Sequence, residues 1–367
     1  MGTLAKPVFM KVKSEQELFI TLRQQVMQVV AALEGRRRWM IKMKAILFPM
    51  LYIATYSAAL LWGNNVTILY TCYFLLGGFL LLNFLNLIHD AVHQTLFEHS
   101  WINRLYVYFF DVMGANSYIW KIRHIRLHHN YPNVMGWDSD FEQSPMARVI
   151  PHGAYSTMHR YQHVYLPLIY PLYLFNWLLV RDFKDFFMKS KLVWKVNPYI
   201  PAAEYIKLFL FKALFLFYTI VLPKLVLNIS WTQMLLAFLI LMFTASITSL
   251  VVLLSPHATP ESEFPLPDEH GVMPDSWFRH QLSTTNDVTS DNWFIRFFMG
   301  SFNYHIAHHL FPHINHVYYP EVTKVIESFT REHQLPYRTF TLSDSLLNHY
   351  RLLKMNAVQE DIFEETM

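Results

Sequence analysis

The stretch VTILYTCYFLLGGFLLLNFLNLIHDAVH, residues 66–93, decides the fold. Residues 66–88 carry no charged side chain and are long enough to cross a bilayer, which takes about 20 apolar residues as a helix. The same segment runs on without a break into His89 and His93. Residues four apart share a helix face, so a membrane helix emerges here with two imidazoles aimed the same way.

Upstream, AILFPMLYIATYSAALLW (45–62) is a second uncharged span, separated only by Gly63-Asn64-Asn65, so the two read as a hairpin. The basic run Arg36, Arg37, Arg38, Lys42 and Lys44 precedes it, which sets the N-terminus on the cytoplasmic side. The second helix returns to that side. Nothing between 94 and 163 is long and apolar enough to cross, and 105–120 reads as interfacial. Residues 164–180 are short and interrupted by Pro167 and Pro171. After the charged run 181–195, segments 208–227 and 232–255 form another hairpin turning near Asn228. Lys207 and Lys212 can snorkel at the inner end of the third span, whereas Lys224 blurs its outer boundary.

Nineteen histidines sit in this chain, eight of them in three clusters: His89 and His93; His124, His128 and His129; His305, His308 and His309. Each cluster aims two imidazoles at one point, and the adjacent third member of the latter two is offset, which suits a second metal. Eight imidazoles exceed the four that close a structural zinc site, so two metals are the economical reading. Iron is preferred to zinc because no HExxH helix or other hydrolytic signature is present. A single histidine is more often a capping or interfacial group. Three clusters at ligand spacing are not well explained that way.

Membrane parity follows from the same chemistry. A full crossing by 164–180 would put the third cluster opposite the first two, so this segment is read as re-entrant or interfacial. The expected fold is therefore all-α and integral to the membrane, with four transmembrane helices (45–62, 66–88, 208–227, 232–255) in two hairpins. Residues 1–44, 89–207 and 256–367 are expected on the cytoplasmic side, building a helical cap over the metal site. No repeat, low-complexity tract or flexible linker divides 1–367, so a single domain is expected.

Composition agrees. The chain of 367 residues is 53% hydrophobic, 17% aromatic and 16% charged, against roughly 25% charged in soluble domains. A net charge of +3 gives no case for nucleic acid, and the aromatic content suits a bilayer interface. Cys72 is the only cysteine, which excludes a disulfide framework and an iron–sulfur cluster. Mostly polar residues precede the first span, so no cleavable signal peptide is expected.

With the residues set out, the chain resembles the membrane fatty acid desaturases, in particular the front-end acyl-lipid and acyl-CoA branch and its bacterial relatives. His89-Asp90-Ala91-Val92-His93 matches the first histidine box, and His124 to His129, continuing into Asn133, Gly136, Asp138 and Asp140, the second. The third is Asn303-Tyr-His-Ile-Ala-His-His-Leu-Phe-Pro312 with His316 and Tyr319-Pro320, preceded by His280-Gln281-Leu282-Ser283-Thr284-Thr285. The resemblance implies two iron ions in a non-haem site, O2 as co-substrate, and the eight box histidines as ligands. It also implies a ninth ligand after the last span, where His257 stands, with His280 as the competing candidate. Asp90 is expected to accept a hydrogen bond from a ligand histidine and orient its ring. Asp138, Asp140 and Glu142 are expected to order the loop rather than take part in chemistry.

Two departures bear on this. His305 and Ala307 stand where front-end members commonly carry glutamine and glutamate, which preserves the ligand set but loosens the assignment of double-bond position. No His-Pro-Gly-Gly haem signature is present, so electrons are expected from a separate cytochrome b5-like or ferredoxin-type protein. The expected activity is insertion of a cis double bond into a fatty acyl-CoA or acyl lipid, in a multi-pass protein of a bacterial inner membrane with both termini cytoplasmic. Histidine or carboxylate acid–base chemistry cannot break an unactivated methylene C–H bond, so metal redox chemistry must supply that step. Tyr118, Trp120, Phe109 and Phe110 are candidate channel residues. Lys121, Arg123 and Arg126 are candidates for a CoA or phospholipid phosphate, or for plain solvent and headgroup contact. A hydroxylase on the same core is the near alternative, and a zinc-binding membrane receptor or scaffold the distant one.

Overall fold

The computed structural model describes residues 6–142, 146–254 and 256–358. The chain is mostly helical. Helix Lys13–Trp62 runs unbroken for 50 residues, through Pro49, so the basic run and the first span are one rod. Gly63 and the next two residues turn the chain, and Asn65 restarts it by accepting the backbone N–H groups of Thr67 and Ile68. An oxygen side chain at this position satisfies donors that a helix start leaves unpaired. The other hairpin restarts at Ser230, whose hydroxyl and Gln233 form a capping box ahead of helix Trp231–Leu253. The two turns are joined, because Asn228 donates its N–H to Asn64 Oδ1 across 2.7 Å.

Helix Val66–Val92 packs along Trp231–Leu253 at backbone contact. A Cβ on Gly77 would stand 2.5 Å from the Leu241 carbonyl oxygen and 2.8 Å from Thr244 Cβ, so only glycine permits this approach. Tyr73, Leu76, Phe215, Phe238 and Leu241 form the apolar core on this side. A second core, around Leu22, Phe48, Phe311, Val322 and Phe329, joins Lys13–Trp62, from Leu22 to Phe48, to helices His305–Leu310 and Tyr319–Glu332. The N-terminal half of the first helix therefore packs with the helices that carry the third histidine cluster and its flank.

Two features differ from the sequence expectation. Among the described residues, five helices rather than four are long and apolar enough to cross a membrane: Lys13–Trp62, Val66–Val92, Thr157–Phe187, Ala202–Val226 and Trp231–Leu253. The additional one, Thr157–Phe187, contains the stretch read as re-entrant or interfacial. It is irregular, with tight turns at Thr157–Tyr161 and Tyr170–Leu172 and a widened turn at Trp177–Arg181. Leu174 donates its N–H to Ser246 Oγ, which lays this helix against Trp231–Leu253. The second difference is a short parallel pairing of Asp287–Val288 with Thr339–Phe340 in the otherwise mostly helical chain.

Candidate metal centre

Each histidine cluster is delivered by its own helical device. His89 and His93 end helix Val66–Val92, directly after a widened turn at Phe84–Ile88. His305, His308 and His309 lie on the short helix His305–Leu310, anchored where Asp287 Oδ1 accepts the Ile306 N–H at 2.7 Å. The second cluster departs from ordinary α geometry, since Ile122–His128 is a π-helix and His129 N–H bonds the His124 carbonyl five residues back.

That turn changes the pairing expected from spacing. In the wider helix the fifth residue, not the fourth, comes back over the first. His124 and His129 therefore meet, their Nε2 atoms 3.2 Å apart, while His128 points elsewhere. The histidines gather into two groups with ligand atoms all within 4.8 Å: His89, His93, His124 and His308, and His128, His257, His305 and His309. His129 lies between them with its Nε2 on the first. All nine expected ligands are thus brought together. His280 is not among them; it is buried against Phe9, ring centroids 5.0 Å apart, while its neighbour Gln281 faces the site.

The donor atoms fit a metal and little else. Nε2 separations are 3.0 Å for His93–His124, 3.1 Å for His257–His309 and 2.9 Å for His257–His305. His308 Nε2 is buried with no hydrogen-bond partner among the described residues. Ring nitrogens facing one another this way turn lone pairs towards a shared point. Burial, then neighbouring histidines, holds His124, His129, His305, His308 and His309 well below the usual imidazole range, keeping them neutral and able to ligate. Burial takes His257 down to about 3.

The opposite nitrogens are held from behind. His257 Nδ1–H donates to the Thr284 carbonyl at 3.0 Å, and His309 Nδ1–H to Gln281 Oε1 at 3.0 Å. His308 Nδ1 meets the Tyr319 hydroxyl at 3.2 Å. His128 Nδ1–H donates to Asp138 Oδ1 at 3.0 Å; burial opposes the charged ring, but Asp138 and Asp140 prevail and raise it to about 9. Asp138 therefore does what was expected of Asp90, and it orders its loop as well, since Oδ2 accepts the Asn133 N–H. Asp90 Oδ1 stands 3.9 Å from His89 Nδ1, too far for a hydrogen bond, and its other oxygen is taken by His316 and Asn315. Gln281 and Tyr319 were visible only as motif letters, without roles.

One cavity opens onto both groups. Its lining is largely apolar, including Phe84, Phe110, Trp120, Trp177 and Leu253, and His89, His124, His128, His257 and His305 also face it. Trp120 stacks on His124 at 4.9 Å, consistent with the expected channel position. Tyr118 lies outside this lining; its hydroxyl accepts from Asn197 and its ring packs with Phe186 and Val193. Phe109 is likewise outside it. Arg123 is buried against Asp185 (2.8 Å) and Glu142 (3.0 Å), a position that leaves it no reach to a phosphate.

Residues 64–341 match the sequence model of the family described as fatty acid desaturase. The chain is 29% identical over 277 residues to an sn-1 linoleoyl-lipid 6-desaturase of Arthrospira platensis, covering 75% of this chain and 74% of that one. It is 30% identical over 271 residues to the protein of the same description from Synechocystis sp., covering 73% and 75%. An acyl-lipid (8-3)-desaturase of Mortierella alpina is 28% identical over 75% of this chain and 63% of its own length.

Proposed function

This chain belongs to the fatty acid desaturase family, and on that premise we propose that it inserts a cis double bond into a lipid-esterified acyl chain with O2 as co-substrate. The relatives from Arthrospira platensis and Synechocystis sp. are described as sn-1 linoleoyl-lipid 6-desaturases, which supports a lipid carrier and a site near the carboxyl end. The observation that carries the reading is the joining of two histidine groups to one apolar cavity.

Iron suits the donor set. All the donors are imidazole nitrogens, which suit iron as well as zinc, and the chemistry proposed needs a redox-active metal, which zinc is not. His89, His93, His124, His129 and His308 would hold one ion, and His128, His257, His305 and His309 the other. Bound iron supplies the oxidising power, drawn from O2, that the methylene C–H bond requires. The side chains do the remaining work. Asp138, Gln281, Tyr319 and the Thr284 carbonyl fix the rings, while Trp120, Phe110 and Phe84 exclude water and lay an acyl chain against the site.

Two electrons come from a separate cytochrome b5-like or ferredoxin-type donor. The chain crosses a bacterial inner membrane four times, with Thr157–Phe187 re-entrant and the cap and both termini cytoplasmic. The bond between Asn64 and Asn228 supports this arrangement, because it sets the two hairpin turns on one side, away from every ligand.

Expression in a host of known lipid composition, followed by chromatography and mass spectrometry of its acyl chains, tests the proposal. A new species lacking two hydrogens, absent with His128→Ala, is expected. A product carrying an added oxygen would instead identify a hydroxylase. An unchanged lipid profile despite bound iron and a competent donor would overturn the reading.

A further inference from the structure

We infer that Arg181 binds the carbonyl oxygen of the substrate's ester or thioester, and so sets which carbons of the acyl chain face the metal ligands. The inference rests on the desaturase reading above. Arg181 lines the same cavity as His128 and His257, in a wall that is otherwise mostly apolar. Its side chain is largely buried, with the guanidinium 4.8 Å over the Trp177 ring. Yet its polar contacts are all long: 3.4 Å to the Ser139 carbonyl, 3.5 Å to the Tyr173 hydroxyl and 3.8 Å to Asp140. Arg123 in the same neighbourhood is tightly held at 2.8 Å and 3.0 Å. A guanidinium has five N–H donors, and a buried one is costly unless acceptors meet it. Arg181 therefore has donor capacity to spend on whatever enters the cavity.

The neighbouring carboxylate narrows the ligand. Asp140 offsets the positive charge, so a neutral acceptor is preferred to a phosphate or a free carboxylate, and an ester or thioester carbonyl is such an acceptor. Position then matters. Asp140 also lies 3.7 Å from His128 Nδ1, so two successive contacts link Arg181 to a ligand ring. A carbonyl fixed at Arg181 leaves room for only a few methylenes before the metal ligands. The carbons oxidised are then counted from the carboxyl end.

The test uses iron-loaded full-length protein in lipid nanodiscs, kept anaerobic so that binding is read without turnover. A diacyl phospholipid is compared with its dialkyl ether analogue, and an acyl-CoA with its S-alkyl analogue; each analogue lacks only the carbonyl. The wild type should prefer one carbonyl-bearing ligand by about tenfold, as expected for a hydrogen bond from a charged donor. The pair that shows the preference identifies the carrier. Arg181→Ala should bring the ratio near one and, under turnover, scatter the double bond over neighbouring positions, whereas Arg181→Lys should keep part of the preference. Equal binding of ester and ether by the wild type overturns the inference without involving any variant. Unchanged preference and a single bond position in Arg181→Ala overturn it too. In either case continued wild-type desaturation leaves the family reading intact, while loss of desaturation in the wild type is the separate failure of that reading.

Discussion

His316 donates its Nδ1–H to Asp90 Oδ2 across 2.6 Å, and Lys44 closes the far side of the ring with its ammonium 2.8 Å from Nε2. All three side chains are buried. Lys44 also donates to Asn86 Oδ1 at 2.8 Å, so the first helix, the second helix and the turn before Tyr319–Glu332 are tied at one polar knot beside His89. Charges so far from water survive only when paired.

Cutting that knot should loosen the first ligand group. With Asp90→Ala, His316 and Asn315 lose their acceptor, Lys44 loses a nearby negative charge, and the helix carrying His89 keeps only its Asn86 tie. We expect iron affinity to fall by up to about tenfold, the effect of losing a partner that touches a ligand directly, because Asp90 acts on His89 only through its helix. Iron per chain, measured against chelator concentration, reads this directly. Asp90→Asn, which can still accept from His316, should fall less; full retention of iron by Asp90→Ala would show that the knot is only structural.

His257 and His280 are separated by the same measurement. His257→Ala removes a nitrogen 2.9 Å and 3.1 Å from two other ring nitrogens and should cost one iron of the pair. His280→Ala should keep both irons, because its ring packs on Phe9 outside the groups. Asp138→Ala is expected to weaken iron binding about tenfold through His128. A reversed order for the two histidines would refute the ligand assignment.

Adjacent glycines predict opposite outcomes. A Cβ at Gly77 runs into the Leu241 carbonyl, whereas one at Gly78 meets nothing within 4 Å. Gly77→Ala should destabilise the protein by about 1–3 kcal/mol, the range for overpacking. Gly78→Ala should be neutral or slightly stabilising. Thermal unfolding midpoints in one detergent compare the two.

Asp111 gives a dependence on pH. Burial raises its carboxyl to about 6, above its ordinary value of 3.8, although the Ser117 N–H donates to Oδ1. A folded value above the unfolded one means that the protonated form is favoured by folding. Its stabilising contribution is then fully present below about 4 and lost as pH rises through about 6. The midpoint of Asp111→Asn relative to wild type should therefore rise between pH 5 and 7.5. A difference that stays flat over this range would contradict the assignment.

Much of this was legible from residue order, for identifiable reasons. Apolar length marks a membrane helix whatever surrounds it, so the spans at 66–88 and 232–255 appear in helices Val66–Val92 and Trp231–Leu253. Histidine spacing marked the ligand helices, and His89 with His93 pair as an ordinary helix requires. Thr157–Phe187 was harder. Its prolines argue for interruption while its composition argues for a span, and a local pattern cannot weigh one against the other.

Sequence by itself determined the inventory: a mostly helical chain with long apolar segments and three clusters of histidines at metal-ligand spacing. Tertiary structure decided the pairing. The π-turn at Ile122–His128 is a backbone choice that residue spacing does not encode, and it sends His124 and His129 one way and His128 the other. Asp138 rather than Asp90 supports a ligand ring, because which carboxylate reaches a ring depends on how distant segments pack. The gathering of His257 with His305 and His309, and of Arg181 with the same cavity, likewise exists only once segments far apart in the sequence have packed together.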